Sequence, residues 1–241
     1  MKNNKILIFD FDGTLTPHPI TKFEILEKCG ISGGVDNPEL WNLIRKRKQK
    51  EKRDFYVAVY EEFLAAIGNA GLPLDNDSLS LGAERIEYNN GALEFLRNLY
   101  KEGIDCYLLS SSIKVLLEKT IVAKYFSDIY ATTFKYDGGK IVGVGDTVSD
   151  RKKVDVIREI MKNNGKKDCS DMIYVGDGLT DLYAMEYVKN NGGTSVFVYL
   201  DEESNELKSA KKQGVVDYFA VADYTNGSEL NNYLKRICNL R

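Results

Sequence analysis

The chain has 241 residues, which is enough for one large domain or for one domain that carries a smaller inserted one. Its net charge of −3 and its pI near 5.5 argue against a general nucleic-acid binder, and no apolar run approaches the ~20 residues needed to span a bilayer. Four scattered cysteines without a C-x-x-C pair, and an N-terminus without a signal-peptide pattern, favour a cytoplasmic protein.

The first predicted element is a short buried strand at 5–9 that runs directly into two acids and a glycine turn. Asp10 and Asp12 lie one residue apart, and Gly13 follows them. Ligands of open α/β sheets bind at the carboxyl ends of the strands, and two adjacent carboxylates repel each other unless a cation or a proton intervenes. This junction therefore suits a magnesium site with a carboxylate nucleophile beside it.

The next region, residues 17–89, is predicted to be almost entirely helical because its apolar residues recur at helical spacing. The predicted helices cover 20–29, 38–53, 55–67 and about 75–87. His18, the single histidine of the chain, is interpreted as a hinge or turn residue, and its isolation argues against zinc sites and histidine-dependent hydrolases. The basic run 45–53 is read as a solvated helix face, with attraction of an anionic substrate as the alternative. Four aromatic residues are assigned to the core of this region rather than to a substrate box: Trp41, Phe55, Tyr56 and Tyr60.

From residue 90 onward, predicted helices and strands alternate. The predicted helices are 91–101, 113–123, 151–163 with Asp150 as N-cap, 180–188 and a last one from Ser228. The predicted strands are 104–109, 129–134, 140–142 after a hairpin turn at 137–139, 172–175, 195–200 and 216–219. Such alternation predicts a parallel sheet with helices on both faces. The simplest architecture is an α/β core of residues 1–16 and 90–241, with a helical cap of residues 17–89 inserted after the first strand.

Polar side chains also follow two other predicted strands. Ser110 ends one strand, while Asp177 follows another and is separated by one helical turn from Asp181. A hydroxyl, free backbone N–H groups and a helix N-terminus are the surroundings that phosphate needs. Lys153, with Lys152 as the alternative, lies early in a helix and can offset the clustered negative charge and bind a phosphate oxygen.

Together these residues resemble the motifs of the haloacid dehalogenase superfamily. The D-x-D-G-T motif matches 10–14, the strand-end serine matches Ser110, the lysine matches Lys153, and G-D-x-x-x-D matches 176–181. The resemblance implies a Rossmann-like three-layer core with a central parallel sheet. A helical cap after the first motif is similar to the phosphoserine-phosphatase branch. That branch usually has glycines after the motif serine, where this chain has 111–112 as serines, so phosphoserine is not implied as the substrate.

The resemblance also implies roles for the four acids. Asp10 would be the nucleophile that forms an aspartyl-phosphate, and Asp12 would be the general acid and then the general base. Mg²⁺ would be bound by Asp10, by the backbone carbonyl of Asp12 and by Asp177. Asp181 would lie behind these ligands and orient a metal-bound water or the lysine.

The phosphoryl oxygens would be held by Ser110, Ser111, Lys153 and the backbone N–H groups of the Gly13 turn. The activity implied is Mg²⁺-dependent hydrolysis of a small phosphomonoester. Two alternatives stay open at this point: a phosphotransferase or phosphomutase on the same scaffold, and a non-catalytic sensor of a phosphorylated ligand. The expected partner is a small phosphorylated metabolite, with no nucleic acid and no membrane, and the oligomeric state is left open.

Overall fold

The computed structural model describes residues 4–17 and 55–240 of the chain. Within this part, the strands are β1 Ile6–Phe9, β2 Asp105–Ile113, β3 Asp128–Thr132, β4 Phe134–Asp137, β5 Lys140–Val144, β6 Met172–Gly176, β7 Thr194–Tyr199 and β8 Tyr218–Val221. The α-helices are α1 Phe55–Asn69, α2 Asn76–Leu79, α3 Ala92–Lys101, α4 Lys114–Leu117, α5 Arg151–Asn163, α6 Leu182–Asn190, α7 Asn205–Gln213 and α8 Glu229–Ile237. Short 3₁₀ turns occupy Ala83–Arg85, Ala123–Tyr125 and Leu179–Asp181. None of the helices in the described ranges is long and apolar enough to cross a membrane.

A six-stranded parallel sheet forms the centre of the molecule, in the order β3-β2-β1-β6-β7-β8. Strand β1 lies inside it and is buried along its whole length. Leu7 and Phe9 belong to one apolar cluster, whereas Ile6 and Ile8 belong to another, so the sheet is covered on both faces. A strand buried on both faces reads as a continuous apolar run, as this one does. The predicted α/β fold with a central parallel sheet is confirmed.

The register of the sheet brings the ends of β1 and β6 to one edge, beside the middle of β2. Phe9 lies beside Leu108 of β2 and beside Val175 of β6. The Asp10 N–H continues this pairing by donating to the Val175 carbonyl at 2.8 Å. Because parallel strands all end at the same edge, the residues that follow β1 and β6 emerge next to each other.

Several predicted elements are confirmed with small changes of boundary. The helix predicted at 151–163 is α5, and the helix predicted at 55–67 is α1, which extends to Asn69. Asp150 does occupy the N-cap position, but its side chain makes no capping hydrogen bond and its φ is +48°. Ser228, by contrast, caps α8 by accepting a hydrogen bond from the Asn231 N–H at 3.2 Å. Predictions for 18–54, including those for His18, Trp41 and the basic run, lie outside the described residues.

Two predicted helices are wrong and one observed helix was not predicted. The helix at 75–87 is replaced by α2, which ends at Leu79, and a 3₁₀ turn. Gly82, which precedes that turn, has a φ of +83° that a continuous helix does not allow. The helix at 113–123 is reduced to α4, since strand β2 continues to Ile113 instead of ending at 109. The helix that was not predicted is α7, which has Ser204 as N-cap and Gly214 after its last turn. It buries only two residues, so the apolar residues in its sequence show little helical periodicity.

The hairpin predicted around 137–139 is confirmed as β4 and β5, joined by Gly138 and Gly139. Both glycines have positive φ, +53° and +81°, as the tight two-residue hairpin turn requires. The hairpin packs against the segment that follows α1. The Ile141 N–H donates to the Leu74 carbonyl at 2.8 Å, and the Tyr136 hydroxyl donates to Asn76 Oδ1 at 2.7 Å. A hairpin of the predicted core thus contacts the predicted cap directly.

Candidate active site

Three carboxylates converge at the carboxyl edge of the sheet. Asp10 follows β1, Asp177 follows β6, and Asp181 ends the 3₁₀ turn before α6. One oxygen from each of these side chains lies within 4.8 Å of the others. The structure therefore brings together the acids that were predicted from two distant stretches of sequence. The side chain of Asp12, which is half-buried, does not belong to this group of three.

Lys153 from the first turn of α5 lies between two of these acids. Its ammonium is 2.9 Å from Asp10 Oδ1 and 2.6 Å from Asp181 Oδ1, and its side chain is fully buried. The alternative candidate, Lys152, is exposed and donates to Thr147 Oγ1 at 2.6 Å. Of the two lysines, only Lys153 has its ammonium against the carboxylate group.

Asp181 is held by three donors. Lys153 and the hydroxyl of Tyr174 both donate to Oδ1, each at 2.6 Å, while the Gly178 N–H donates to Oδ2 at 3.0 Å. Asp181 is completely buried, so these contacts replace the hydrogen bonds that water would otherwise provide. Tyr174 was not singled out from the sequence. The available signal was a single hydroxyl-bearing residue inside the otherwise aliphatic strand that leads to Asp177.

Burial and the neighbouring charges strongly shift the pKa values of Asp10, Asp177 and Lys153. Burial raises the pKa of Asp10 from 3.8 to about 7, although the Lys153 charge acts in the opposite direction. Burial, together with the charges of Asp10 and Asp181, raises the pKa of Asp177 well above its ordinary value. Burial lowers the pKa of Lys153, but the two neighbouring carboxylates outweigh this effect and raise it well above the ordinary value. The lysine is therefore a fixed positive charge at physiological pH.

Gly13 provides the space that Asp177 occupies. A Cβ atom at position 13 would overlap Asp177 Oδ2, and the glycine also has a φ of +80°, which side-chain-bearing residues rarely adopt. Thr14 fixes the other oxygen of the same carboxylate, because its hydroxyl donates to Asp177 Oδ1 at 2.8 Å. The residues after Asp12 thus form a cradle for one member of the acidic group.

The three serines near the end of β2 are held by hydrogen bonds within the strand and to neighbouring elements. The buried Ser110 hydroxyl accepts a hydrogen bond from the Ser112 N–H at 3.1 Å. The Ser111 carbonyl accepts from the hydroxyls of Tyr60 at 2.7 Å and Thr132 at 2.8 Å. Tyr60 was assigned to the core of the helical region, and it does pack on neighbouring rings, but its hydroxyl also ties α1 to this strand.

The donor set fits a hard divalent cation. Carboxylate oxygens are the ligands that Mg²⁺ prefers, and here three carboxylates face a single ammonium group. This excess of buried negative charge is costly unless a cation or protons neutralise it. Because Asp181 is engaged by Lys153, Tyr174 and Gly178, Asp10 and Asp177 are the side chains left to hold the ion.

A cavity of about 260 Å³ opens next to this group. Asp12, Gly13 and Asp177 line it together with Asp201, which follows β7, and Glu206 in the first turn of α7. The volume is that of a small-molecule site rather than of a surface for a macromolecule.

Comparisons with known proteins agree with this architecture. A family model described as haloacid dehalogenase-like hydrolase matches residues 7–186, whereas no curated protein matches the chain. A phospho-aspartyl intermediate analogue of phosphoserine phosphatase superposes with a TM-score of 0.65 at 20% identity, covering 96% of this chain and 98% of that chain. A substrate-bound phosphoserine phosphatase complex gives 0.64 at 20% identity, covering 96% and 97%. Cytosolic 5′-nucleotidase IIIB bound to cytidine gives 0.59 at 16% identity, covering 99% and 86%. At these identities the likeness to solved structures is one of fold.

Proposed function

Because the chain belongs to the haloacid dehalogenase-like hydrolase family, we propose that it is a Mg²⁺-dependent phosphatase that hydrolyses a small phosphomonoester. The single observation that carries this proposal is the position of Asp10. Its buried carboxylate contacts the ammonium of Lys153 at 2.9 Å and has an oxygen within 4.8 Å of one of Asp177, as a nucleophile beside a metal site requires. The solved phosphatases of the same fold support the reaction class.

In the first half-reaction, a carboxylate oxygen of Asp10 attacks phosphorus, and the bond between phosphorus and the ester oxygen breaks. Asp12 donates its proton to the departing oxygen, so that the leaving group is an alcohol. In the second half-reaction, Asp12 accepts a proton from water as that water attacks the phosphorus of the aspartyl-phosphate. Inorganic phosphate leaves and the Asp10 carboxylate is restored. One carboxylate acts as nucleophile, and its neighbour moves the protons.

The other residues stabilise charge on the phosphoryl group. Lys153 neutralises one oxygen, while the Ser110 hydroxyl, Ser111 and the backbone N–H of Gly13 are assigned to the remaining oxygens. Asp10, Asp177 and the backbone carbonyl of Asp12 would hold Mg²⁺, which supplies further neutralisation of the developing negative charge. Positioning and charge neutralisation provide most of the rate enhancement in phosphoryl transfer.

The domain division is part of the same proposal. Residues 1–16 and 90–241 would form the catalytic core, and residues 17–89 a cap that covers the phosphoryl site and excludes water. The hydrogen bond from Tyr60 on α1 to the Ser111 carbonyl supports this, since it ties a helix of the proposed cap to β2, the strand that pairs with β1.

The test uses p-nitrophenyl phosphate as substrate with Mg²⁺ present. Asp10→Asn is expected to lower kcat by on the order of 10⁴-fold or more, because the nucleophile is lost. Excess EDTA should abolish turnover, and added Mg²⁺ should restore it. Asp155→Asn, at an exposed position of α5, is the matched control and should retain full activity. Turnover by the Asp10 variant, or full activity in EDTA, would contradict the proposal. Release of one inorganic phosphate per product alcohol distinguishes hydrolysis from transfer to another acceptor.

A further inference from the structure

We propose that Tyr174 is a positioning residue of this site, which holds Asp181 so that Asp181 can hold Lys153 against the reacting group. The inference rests on the proposed phosphatase function and adds a residue that the family motifs do not include. Tyr174 is on β6, three residues before Asp177, and its side chain is completely buried.

Among the described residues, the hydroxyl of Tyr174 has a single hydrogen-bond partner. It donates to Asp181 Oδ1 at 2.6 Å, within an apolar cluster formed by β6, α5 and α6. Phenylalanine would supply the same ring to this cluster, so the packing of the strand does not require the oxygen atom. The hydroxyl is therefore explained by the carboxylate that it contacts. Burial, followed by the charge of Asp181, raises the pKa of Tyr174 well above its ordinary value, so the phenol stays protonated and remains a donor.

Three donors fix the plane of the Asp181 carboxylate. The Gly178 N–H binds Oδ2, and Tyr174 shares Oδ1 with Lys153. Without Tyr174, Oδ1 keeps only the lysine as a donor, and the Gly178 N–H on Oδ2 is the one remaining contact of these three that is independent of the lysine. The lysine side chain has four rotatable bonds, so a carboxylate that can rotate leaves the ammonium poorly located. The tyrosine therefore provides a second lysine-independent contact, on the same oxygen that Lys153 contacts, and it stops the carboxylate from rotating about the Gly178 hydrogen bond.

The position of Asp181 matters most after the first half-reaction. Free Asp10 attracts Lys153 at 2.9 Å, but once its oxygen is bonded to phosphorus that carboxylate no longer carries its own negative charge. Asp181 is then the remaining carboxylate that holds the ammonium beside the phosphoryl group. We therefore expect loss of the Tyr174 hydroxyl to slow turnover more than it weakens substrate binding.

The experiment compares wild type, Tyr174→Phe and Tyr187→Phe with p-nitrophenyl phosphate at saturating Mg²⁺. Tyr174→Phe is expected to lower kcat about tenfold and to leave KM within about twofold, as for an interaction needed mainly during the chemical steps. Tyr187→Phe is the matched control, because its hydroxyl donates to Met161 Sδ at 3.9 Å and interacts with Arg158, and neither partner belongs to the acidic group. Its kcat should be unchanged. Thermal melts report any purely structural loss separately from kcat.

A double-mutant cycle tests whether the tyrosine acts through Asp181. In an Asp181→Asn background, Tyr174→Phe should reduce kcat by less than about twofold, since the two changes disable the same contact. Full additivity, or an unchanged kcat in Tyr174→Phe, overturns the inference while leaving the phosphatase proposal intact. If Tyr174→Phe does not fold, Tyr174→Met is measured in its place under the same criteria. If the wild-type protein turns over no phosphomonoester, the proposed function is refuted, and so is the inference about Tyr174 that rests on it.

Discussion

We expect the substitution Lys153→Met to lower the free energy of unfolding more than any other variant proposed for this protein. The ammonium is fully buried and contacts Asp10 and Asp181 at 2.9 and 2.6 Å. Methionine has nearly the same length and no charge, so the variant removes the cation without opening a large cavity. Both carboxylates then stay buried with their main counter-charge gone. Removing one partner of a buried ion pair costs about 3–5 kcal/mol, because the remaining charge is left uncompensated.

That free energy corresponds to a fall of about 6–20 °C in Tm for a chain of this size. The loss should also depend on pH. Without the cation, the Asp10 carboxylate binds a proton more readily, so the penalty shrinks at acid pH, where protonation neutralises it, and grows toward pH 8, where it must be charged. We expect the difference in Tm between variant and wild type to be clearly larger at pH 8 than at pH 5.

The assay is thermal unfolding followed by circular dichroism, in EDTA, at both pH values. Lys152→Met is the matched control: the same substitution one residue earlier in the same helix turn, at an exposed side chain that contacts Thr147. It should change Tm by no more than about 1–2 °C. Equal losses in the two variants, or a loss at Lys153 that does not vary with pH, would refute the assignment of Lys153 as the buried counter-charge of the acidic group.

Two further predictions concern the acids themselves. The pKa of Asp10 is about 7 in the folded protein, against an ordinary value of 3.8. At a pH between these two values, the folded state therefore keeps a proton that the unfolded state has already lost. In EDTA, the free energy of unfolding should therefore fall as pH rises from about 4 to about 7. Urea unfolding of Asp10→Asn should lack this part of the pH dependence. Parallel plots of unfolding free energy against pH for variant and wild type would contradict the prediction. Gly13→Ala should raise the Mg²⁺ concentration for half-maximal activity by about tenfold or more, since its Cβ overlaps Asp177 at an unfavourable φ. Gly71→Ala, which also has a positive φ but open space around its Cβ, should leave that concentration unchanged in the same titration.

The parts of the site that follow directly from local sequence were predictable. The apolar run of β1 ends in Asp10, and β6 ends in Gly176 before Asp177, so both acids follow from recognising a buried strand and the turn after it. Parallel pairing then brings them to one edge without further information. The choice between the adjacent lysines required the structure, because a helix position alone does not tell which of 152 and 153 faces the sheet.

Other features depend on partners that are distant in sequence. Strand β2 continues through Ser110–Ser112, although consecutive serines resemble a turn, because Ile113 still pairs with Thr132 of the neighbouring strand. The roles of Tyr60 and Tyr174 arise from hydrogen bonds to residues of other elements, and a helix or strand pattern reports only their burial. These contacts are fixed by tertiary packing, which overrides local propensity.

The order of strands in the sheet has a consequence for how the protein acquires its structure. Ile6 of β1 pairs with Asp105 on one side and with Met172 on the other, so both edges of β1 are closed by segments far along the chain. Strand pairings between residues so far apart in sequence form slowly, because the intervening chain loses conformational entropy before any stabilising contact forms. A nascent or truncated chain that stops short of β6 presents the backbone of β1 as an open edge, available to strands of other molecules. The pairing of β1 with β6 thus brings Asp10 to Asp177 and closes this edge of β1 at the same time.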